Sequence, residues 1–315
     1  MHAAPEQIKT VPAPNVPAAG STALPFAALV VANVALAFGP WFVRLADTGP
    51  VASGFWRITL AAPLLVVLAL ASGARPVRLG AGLWLALLVG GVAFAADLGS
   101  WHLGILRTTL ANATLFGNSA TLIFPIYGFL AARAWPTRTQ AVALLLAAAG
   151  AGLLIGRSYQ LDPRHLAGDL LCILAGILYT FYFIMMARAR NVMAPLPALA
   201  VSTLASSLPL LAFASAMGER IVPADWWPLI GLALVSQVIG QGCMIYALGR
   251  LTPLVIGIAL LIQPVVAGAV GWLVYDERLT APDLAGVVLV AAALVLVRRG
   301  PVVAPSAPTP HLEAA

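Results

Sequence analysis

Ten apolar runs of about twenty residues constrain the fold of this chain more than any other feature of its sequence. They cover 22–44, 50–72, 80–103, 109–131, 137–156, 166–188, 195–217, 225–248, 252–275 and 280–298. A helix needs about 20 mostly apolar residues to cross a bilayer. The connections between the runs are too short for a soluble domain. The sequence therefore predicts an all-α integral membrane fold of ten transmembrane helices.

The composition agrees with a chain that lies in a lipid bilayer. Of 315 residues, 61% are hydrophobic and 9% are charged, whereas soluble domains carry about 25% charged residues. The 16 arginines and one lysine are scattered between the runs, which argues against a nucleic-acid partner. These basic residues are more numerous on the side of the membrane where the N-terminus would lie. The positive-inside rule then predicts a bacterial-type inner membrane protein with both termini cytoplasmic.

Several kinds of chemistry are not expected. Cys172 and Cys243 both lie inside apolar runs, so neither a disulfide framework nor a cysteine metal site is predicted. The sequence has no Gly-x-x-x-x-Gly-Lys-[Ser/Thr] motif, so the chain is not expected to hydrolyse ATP. It offers no nucleophile and base or metal cluster within the membrane. We therefore predict a protein that is not an enzyme and needs no cofactor or metal.

The two halves of the chain resemble one another. Leu122–Pro125 in the fourth run matches Leu261–Pro264 in the ninth. Each half has five runs, so the second half would enter the membrane inverted, as in many secondary transporters. The predicted organisation is a disordered tail (1–21), a first five-helix repeat (22–156), a second, inverted five-helix repeat (166–298) and a disordered tail (299–315).

The chain resembles the EamA-type transporters of the drug/metabolite transporter superfamily. The resemblance rests on the ten runs in two inverted fives, the prolines late in runs four and nine, Gly54–Arg57 and the acidic turn Asp276–Arg278. It implies a secondary transporter that exports small metabolites, above all amino acids including aromatic ones. Other members of the superfamily move cationic drugs, purines or nucleotide sugars. The chain departs from the family where many members have a Trp-Gly or Trp-Ala pair: it has Phe38–Gly39 and Tyr179–Thr180 there.

Two charged residues lie clearly inside predicted spans, Asp97 and Arg57. Asp97 and Trp101 are four residues apart and share a helix face. They would line a central cavity, although Asp97 could instead bridge to a neighbouring helix. Arg57 could hold a substrate carboxylate, or could serve as a packing or topology residue that reaches the outer surface.

The remaining candidate binding residues are polar or aromatic side chains inside the runs. His102 could shuttle protons or lie at the outer rim. The amides could line the site or join helices to one another, and the tyrosines could form an aromatic wall or belong to the ordinary core. With the three residues above, these complete the predicted substrate site: His102, Asn118, Tyr179, Gln237, Gln241, Tyr246 and Gln263.

Prolines mark three predicted hinges. Pro125 and Pro264 each free a carbonyl one turn earlier, and Pro40 offers a further kink. The small-residue-rich fifth and tenth runs could form a homodimer face. The predicted partners are thus a small-molecule substrate, the bilayer and a second copy of the chain. A channel or a non-transporting scaffold is the alternative from another functional class.

Overall fold

The computed structural model describes residues 23–74, 80–108, 110–156, 163–275 and 281–299, and within these ranges every regular element is helical. The predicted tails lie outside the described residues, except that Arg299 ends the last helix. The elements are α1 (Ala23–Ala37), α2 (Gly39–Leu45), α3 (Pro50–Ala71), α4 (Ala81–Ile105), α5 (Leu110–Gly117), α6 (Ala120–Ala132), α7 (Arg138–Gly156), α8 (Pro163–Arg190), α9 (Pro195–Ala216), α10 (Trp227–Gly231), the π-helix π1 (Leu232–Gln241), α11 (Gly242–Leu248), α12 (Pro253–Ala259), α13 (Ile262–Tyr275) and α14 (Ala281–Arg299).

Seven helical segments of the described residues are long and apolar enough to cross a membrane. They are Ala23–Leu45, Pro50–Ala71, Ala81–Ile105, Leu166–Arg190, Pro195–Ala216, Trp227–Leu248 and Pro253–Val274. The other predicted spans, 109–131, 137–156 and 280–298, fall on α5 with α6, α7 and α14. That these cross the membrane, and that the ten helices form two inverted fives, stays a prediction.

The surface of the bundle is apolar, as a lipid-facing surface must be. Leu70, Leu130 and Leu208 are 79%, 72% and 75% exposed. The buried centre instead holds stacked aromatic rings, with the Phe94 and Tyr182 centroids 4.4 Å apart. Large apolar side chains on the outside are unfavourable in water but suit a bilayer. The arrangement is that of a multi-pass membrane protein.

The three predicted hinge prolines lie at or near interruptions in helices. Pro40 is at the start of α2, just after the break at Phe38. Pro125 lies inside α6, which follows a break at 118–119, and Pro264 is near the start of α13 after a break at 260–261. Because Pro264 has no N–H, the Leu260 carbonyl instead accepts from the Gln263 N–H, at 3.1 Å. Whether these kinks move as hinges stays a prediction.

Helices of the first half pack against helices of the second half. α4 lies along α8, α1 along π1 and α11, α3 along α9, α6 along α12, and α7 along α14. The α6–α12 contact is very close, since a Cβ added at Gly257 would lie 2.6 Å from the Pro125 Cγ, and one at Gly128 would lie 2.8 Å from the Pro253 Cβ. These contacts leave a small polar space between the halves.

Candidate functional site

A cavity lies between the two halves of the chain. Its walls come from α1, α3, α4, α5 and the α5–α6 break in the first half, and from α8, π1 and α13 in the second. The centres of water-sized molecules can move through about 40 Å³ of it, which is room for about three waters. In this conformation the cavity is small.

Most of the residues that the sequence predicts for the site line this cavity. Those that do so are Arg57, Asp97, Trp101, Asn118, Tyr179, Gln241 and Gln263. The remaining lining residues are Leu36, Phe94, Leu98, Thr114 and Gly117. Asp97 and Trp101 lie on the same side of α4, as their spacing indicates. The structure thus brings together side chains from distant parts of the sequence.

Arg57 is buried beside the cavity and does not reach the outer surface. Its side chain is 2% exposed, and its guanidinium lies 6.0 Å from the centre of the Phe94 ring. Nε donates to Gln237 Oε1 at 3.2 Å. Within the part of the chain that the structure describes, this is the one hydrogen bond of Arg57, so its two terminal nitrogens remain available to a ligand.

Asp97 supplies the opposite charge in the same cavity. It is 7% exposed and close enough to Arg57 for the two charges to attract each other. No N–O contact between them is as short as 4.0 Å among the described residues. A buried carboxylate is costly unless something of opposite charge compensates for it. The two charges can therefore act as separate binding points.

Gln241 has a donor that faces no acceptor. Its Oε1 accepts from the Tyr179 hydroxyl at 3.2 Å, while its fully buried Nε2 has no partner among the described residues. Leaving such a group unpaired costs about 1–3 kcal/mol. A ligand oxygen in the cavity would remove that cost.

Other lining side chains are fixed by bonds within the protein. Gln263 Nε2 donates to Asn33 Oδ1 at 2.9 Å, joining α13 to α1. Trp101 Nε1 donates to the Ala113 carbonyl at 3.1 Å. A Cβ at Gly117 would lie 2.7 Å from that indole nitrogen, so only glycine fits beside it. The cavity walls are thus preorganised.

Three predicted site residues lie away from the cavity walls. Gln237 is fully buried and bonds to Arg57 instead. His102 is fully buried behind the cavity, with Nδ1 2.9 Å from the Pro50 carbonyl and 3.0 Å from Ser53 Oγ. Since a carbonyl only accepts, Nδ1 carries the proton. Tyr246 is half-buried on α11 beneath the Arg250 guanidinium, 4.0 Å from its ring centre.

Polar contacts close the bundle at the start of α3, on the predicted outer side. Both oxygens of Glu219 accept from backbone N–H groups there, of Val51 at 3.3 Å and Ala52 at 2.8 Å. The Trp56 indole donates to the Ile221 carbonyl at 2.6 Å. A carboxylate at a helix N-terminus also interacts favourably with the helix dipole. These contacts join a loop of the second half to a helix of the first.

The same loop also binds the α2–α3 connection. Asp47 Oδ2 accepts from the Ala224 N–H at 2.8 Å and lies 3.6 Å from the Arg220 guanidinium. The Gly49 N–H donates to the Arg220 carbonyl at 3.0 Å. The Ala224 N–H, followed by the Arg220 charge, holds the pKa of the Asp47 carboxyl below its usual value. We call the contacts of Asp47, Gly49, Val51, Ala52 and Trp56 with 219–224 the latch.

Sequence reasoning missed three features of the site. The π-helix that carries Gln237 and Gln241 leaves no mark in apolar periodicity. Thr203, which bonds to Gln237, reads as an ordinary small residue of an apolar run. Phe94 reads as core, although it forms one wall of the cavity. Among the described residues, no group of three or more His, Cys, Asp or Glu side chains is arranged to hold a metal ion.

The fold and the cavity define an all-helical, multi-pass membrane protein with a polar space between its halves. Comparison with family models adds that residues 166–299 match the EamA-like transporter family, so the second half of the chain is similar to a domain of membrane transporters. None of the curated proteins matches the chain. A solved crystal structure matches with a TM-score of 0.71 over 88% of this chain and 97% of its own, at 15% identity. That likeness shows the fold alone.

Proposed function

We propose that this chain is a secondary transporter that exports small metabolites, above all amino acids including aromatic ones, by alternating access through the central cavity. The observation that carries the proposal is the pair of opposite charges in that cavity, Arg57 on α3 and Asp97 on α4. Buried charges in membrane helices are rare and characteristically mark a transport pathway. The transporter domain over 166–299 supports the same conclusion.

The polar groups of the cavity suit a zwitterion. The terminal nitrogens of Arg57 and the free Nε2 of Gln241 are donors for a carboxylate, while the Asp97 carboxylate is an acceptor for an ammonium group. Phe94 and Trp101 add aromatic walls that would pack against an apolar or aromatic side chain. An α-amino acid combines all three features in one molecule. A cationic drug, a purine or a nucleotide sugar would leave part of this set unpaired.

Alternating access is supported by the small size of the cavity and by the pattern of contacts between the halves. About 40 Å³ is too small for an amino acid, so the cavity must open for transport. The α4–α8 contact has a counterpart in the contact of α1 with π1 and α11, as an inverted 5+5 repeat would require. The latch would then be the outer gate, which opens to release the exported substrate.

The remaining parts of the proposal concern energy and location. The sequence has no phosphate-binding loop for ATP, so a gradient of substrate or of protons would drive export. Asp97 is the candidate for proton coupling. We place the chain in a bacterial-type inner membrane, with both termini cytoplasmic, and expect a homodimer through α7 and α14. Channel or scaffold roles are the competing functions.

Uptake into proteoliposomes tests the proposal. The panel contains labelled aromatic and aliphatic amino acids, a purine, a nucleotide sugar and a quaternary cation, each with and without a pH gradient. We expect saturable flux of amino acids with the wild-type protein and its loss in Asp97→Ala. Flux of only the cation, the purine or the nucleotide sugar would overturn the substrate assignment. Single-channel conductance in planar bilayers, or no flux of any solute, would overturn the carrier.

A further inference from the structure

A chain of two hydrogen bonds runs from α9 through π1 to the cavity. Gln237 Nε2 donates to Thr203 Oγ1 at 3.2 Å, and Gln237 Oε1 accepts from Arg57 Nε at 3.2 Å. Thr203 and Gln237 are fully buried, and neither lines the cavity. These two hydrogen bonds therefore act on the cavity through Arg57 alone.

The chemistry of Arg57 leaves the Gln237 amide only one orientation. A guanidinium has donors and no acceptor, so the amide oxygen must face Arg57. Rotating the amide would set its NH₂ group against the Arg57 N–H and leave two donors facing each other. Thr203 takes up the NH₂ group in the observed orientation. Arg57 therefore selects the orientation of the amide, and Thr203 anchors the amide in place by accepting from its NH₂ group.

This arrangement uses Nε of Arg57 and leaves its terminal nitrogens for the cavity. Arginine has a long side chain with several rotatable bonds, and fixing it before a ligand arrives reduces the ordering cost of binding. Gln237 is placed for this role by π1, whose ten residues form an unusually long π-helix for a conformation that normally occurs as single turns.

We propose that Gln237 and Thr203 are positioning residues, which aim the Arg57 guanidinium at the carboxylate of the substrate without touching the substrate. The inference rests on the proposed function, because it names the substrate group that Arg57 would bind. It changes the role of Gln237 from a substrate contact, as its sequence position indicates, to a support for one. It also assigns a role to Thr203, which sequence reasoning did not single out.

Matched variants of Thr203 and Ser206 test the positioning role. Thr203→Val removes the hydroxyl at nearly constant shape, and Thr203→Ser restores it. Ser206→Ala is the control. The Ser206 hydroxyl is buried on the same helix and donates to the Gly91 and Ser202 carbonyls, both at 2.8 Å. It forms no hydrogen bond with Gln237 or Arg57 among the described residues. All three are compared with the wild-type protein in proteoliposomes.

The readout separates positioning from general damage. The probes are an aromatic amino acid and the corresponding amine, which lacks the carboxylate and is measured as a competitor. In Thr203→Val we expect KM for the amino acid to rise about tenfold, with kcat nearly unchanged and inhibition by the amine unaltered. Thr203→Ser and Ser206→Ala should behave like the wild-type protein. Equal weakening of amino acid and amine, or a fall in kcat alone, would overturn the inference.

A second measurement is independent of transport. The ¹⁵Nε–¹H resonance of Arg57, assigned by its absence in Arg57→Lys, should exchange slowly with water in the wild-type protein and in Thr203→Ser. In Thr203→Val it should exchange faster, because the oxygen that Nε bonds to is no longer held. An unchanged resonance would overturn the positioning role whatever the substrate. If the wild-type protein transports no amino acid but the resonances behave as expected, the proposed function and the carboxylate assignment are contradicted. The Thr203–Gln237–Arg57 hydrogen bonds are then still supported.

Discussion

The central cavity and the latch both place carboxylates between the two halves of the molecule, but they use them differently. In the latch, Glu219 gives both oxygens to backbone N–H groups of α3. In the cavity, Asp97 forms no close ion pair with Arg57, and the Nε2 of Gln241 is unpaired among the described residues. Unpaired buried groups cost stability. The comparison therefore separates a carboxylate fully paired with backbone from opposite charges that have no close ion pair, and the proposed substrate would bind at the second.

The largest expected effect comes from Asp97→Asn. The change keeps the shape of the side chain and removes its charge, so an ammonium group in the cavity would lose its counterion. We expect kcat/KM for amino-acid transport to fall about 100-fold, while thermal stability does not decrease. Proteoliposome uptake and thermal unfolding in detergent measure the two effects.

The matched control for this carboxylate is Asp169→Asn. Asp169 accepts from Thr108 Oγ1 at 2.6 Å and does not line the cavity. Transport by this variant should stay close to that of the wild-type protein. Equal loss in both variants would show that charge anywhere in the bundle matters, and would remove the distinction between the cavity and its surroundings.

Gln241→Met should have the next largest effect. The variant removes the buried donor that has no partner among the described residues and leaves an apolar side chain of similar length. We expect KM for an amino acid to rise about tenfold, as measured by initial uptake rates. Gln140→Met is the control, because the Gln140 side chain accepts from the Thr137 N–H at the exposed start of α7, away from the cavity. A rise in KM in the control, or none in Gln241→Met, would contradict the role of this donor.

The latch variants should affect stability and leave substrate affinity alone. Glu219→Ala leaves two N–H groups at the start of α3 without their acceptor, and should lower the free energy of unfolding by about 1–2 kcal/mol. Glu219→Gln retains one amide oxygen and should cost less. Denaturant titration in detergent measures the change. A tenfold rise in KM in Glu219→Ala would show that the latch belongs to the substrate site.

The smallest effect concerns pH. The pKa of Asp47 is lowered by the Ala224 N–H and by Arg220, so its contribution to stability is present above the unfolded pKa of about 4. It is lost as the pH falls through the lowered folded-state value. The melting temperature of the wild-type protein should therefore exceed that of Asp47→Asn near neutral pH, and the difference should vanish at acidic pH. A difference that grows on acidification would contradict this assignment.

The sequence predicted those parts of the structure that depend on apolar periodicity and helix geometry. The spacing of Asp97 and Trp101 placed both on one face of α4. Every described helix lies close to a predicted run, although the ends of α4, α8 and α14 extend slightly beyond their runs. Burial of Arg57 could not be predicted, because the sequence does not show the Gln237 amide oxygen that accepts from its Nε. The Gln237–Arg57 bond joins residues 180 positions apart.

Of the two glutamines predicted to share a helix face, the structure places Gln241 at the cavity and Gln237 behind Arg57. Gln237 and Gln241 would share a face of an α-helix, and the sequence therefore predicted both as substrate contacts. In π1 the two side chains nevertheless have different partners, which come from the helices packed around them. Gln241 faces Tyr179 and the cavity, whereas Gln237 faces Arg57 and Thr203. The latch likewise depends on tertiary contacts between loops, which have no local pattern.

Competition by altered substrates tests the central claim most directly. Uptake of a labelled aromatic amino acid by the wild-type protein is measured against its unlabelled form, its methyl ester and its N-acetyl derivative. The ester lacks the carboxylate charge for Arg57 and Gln241, and the N-acetyl derivative lacks the ammonium group for Asp97. If the cavity holds a zwitterion between these residues, only the unmodified amino acid will compete strongly. Equal competition by the ester or by the N-acetyl derivative would contradict it.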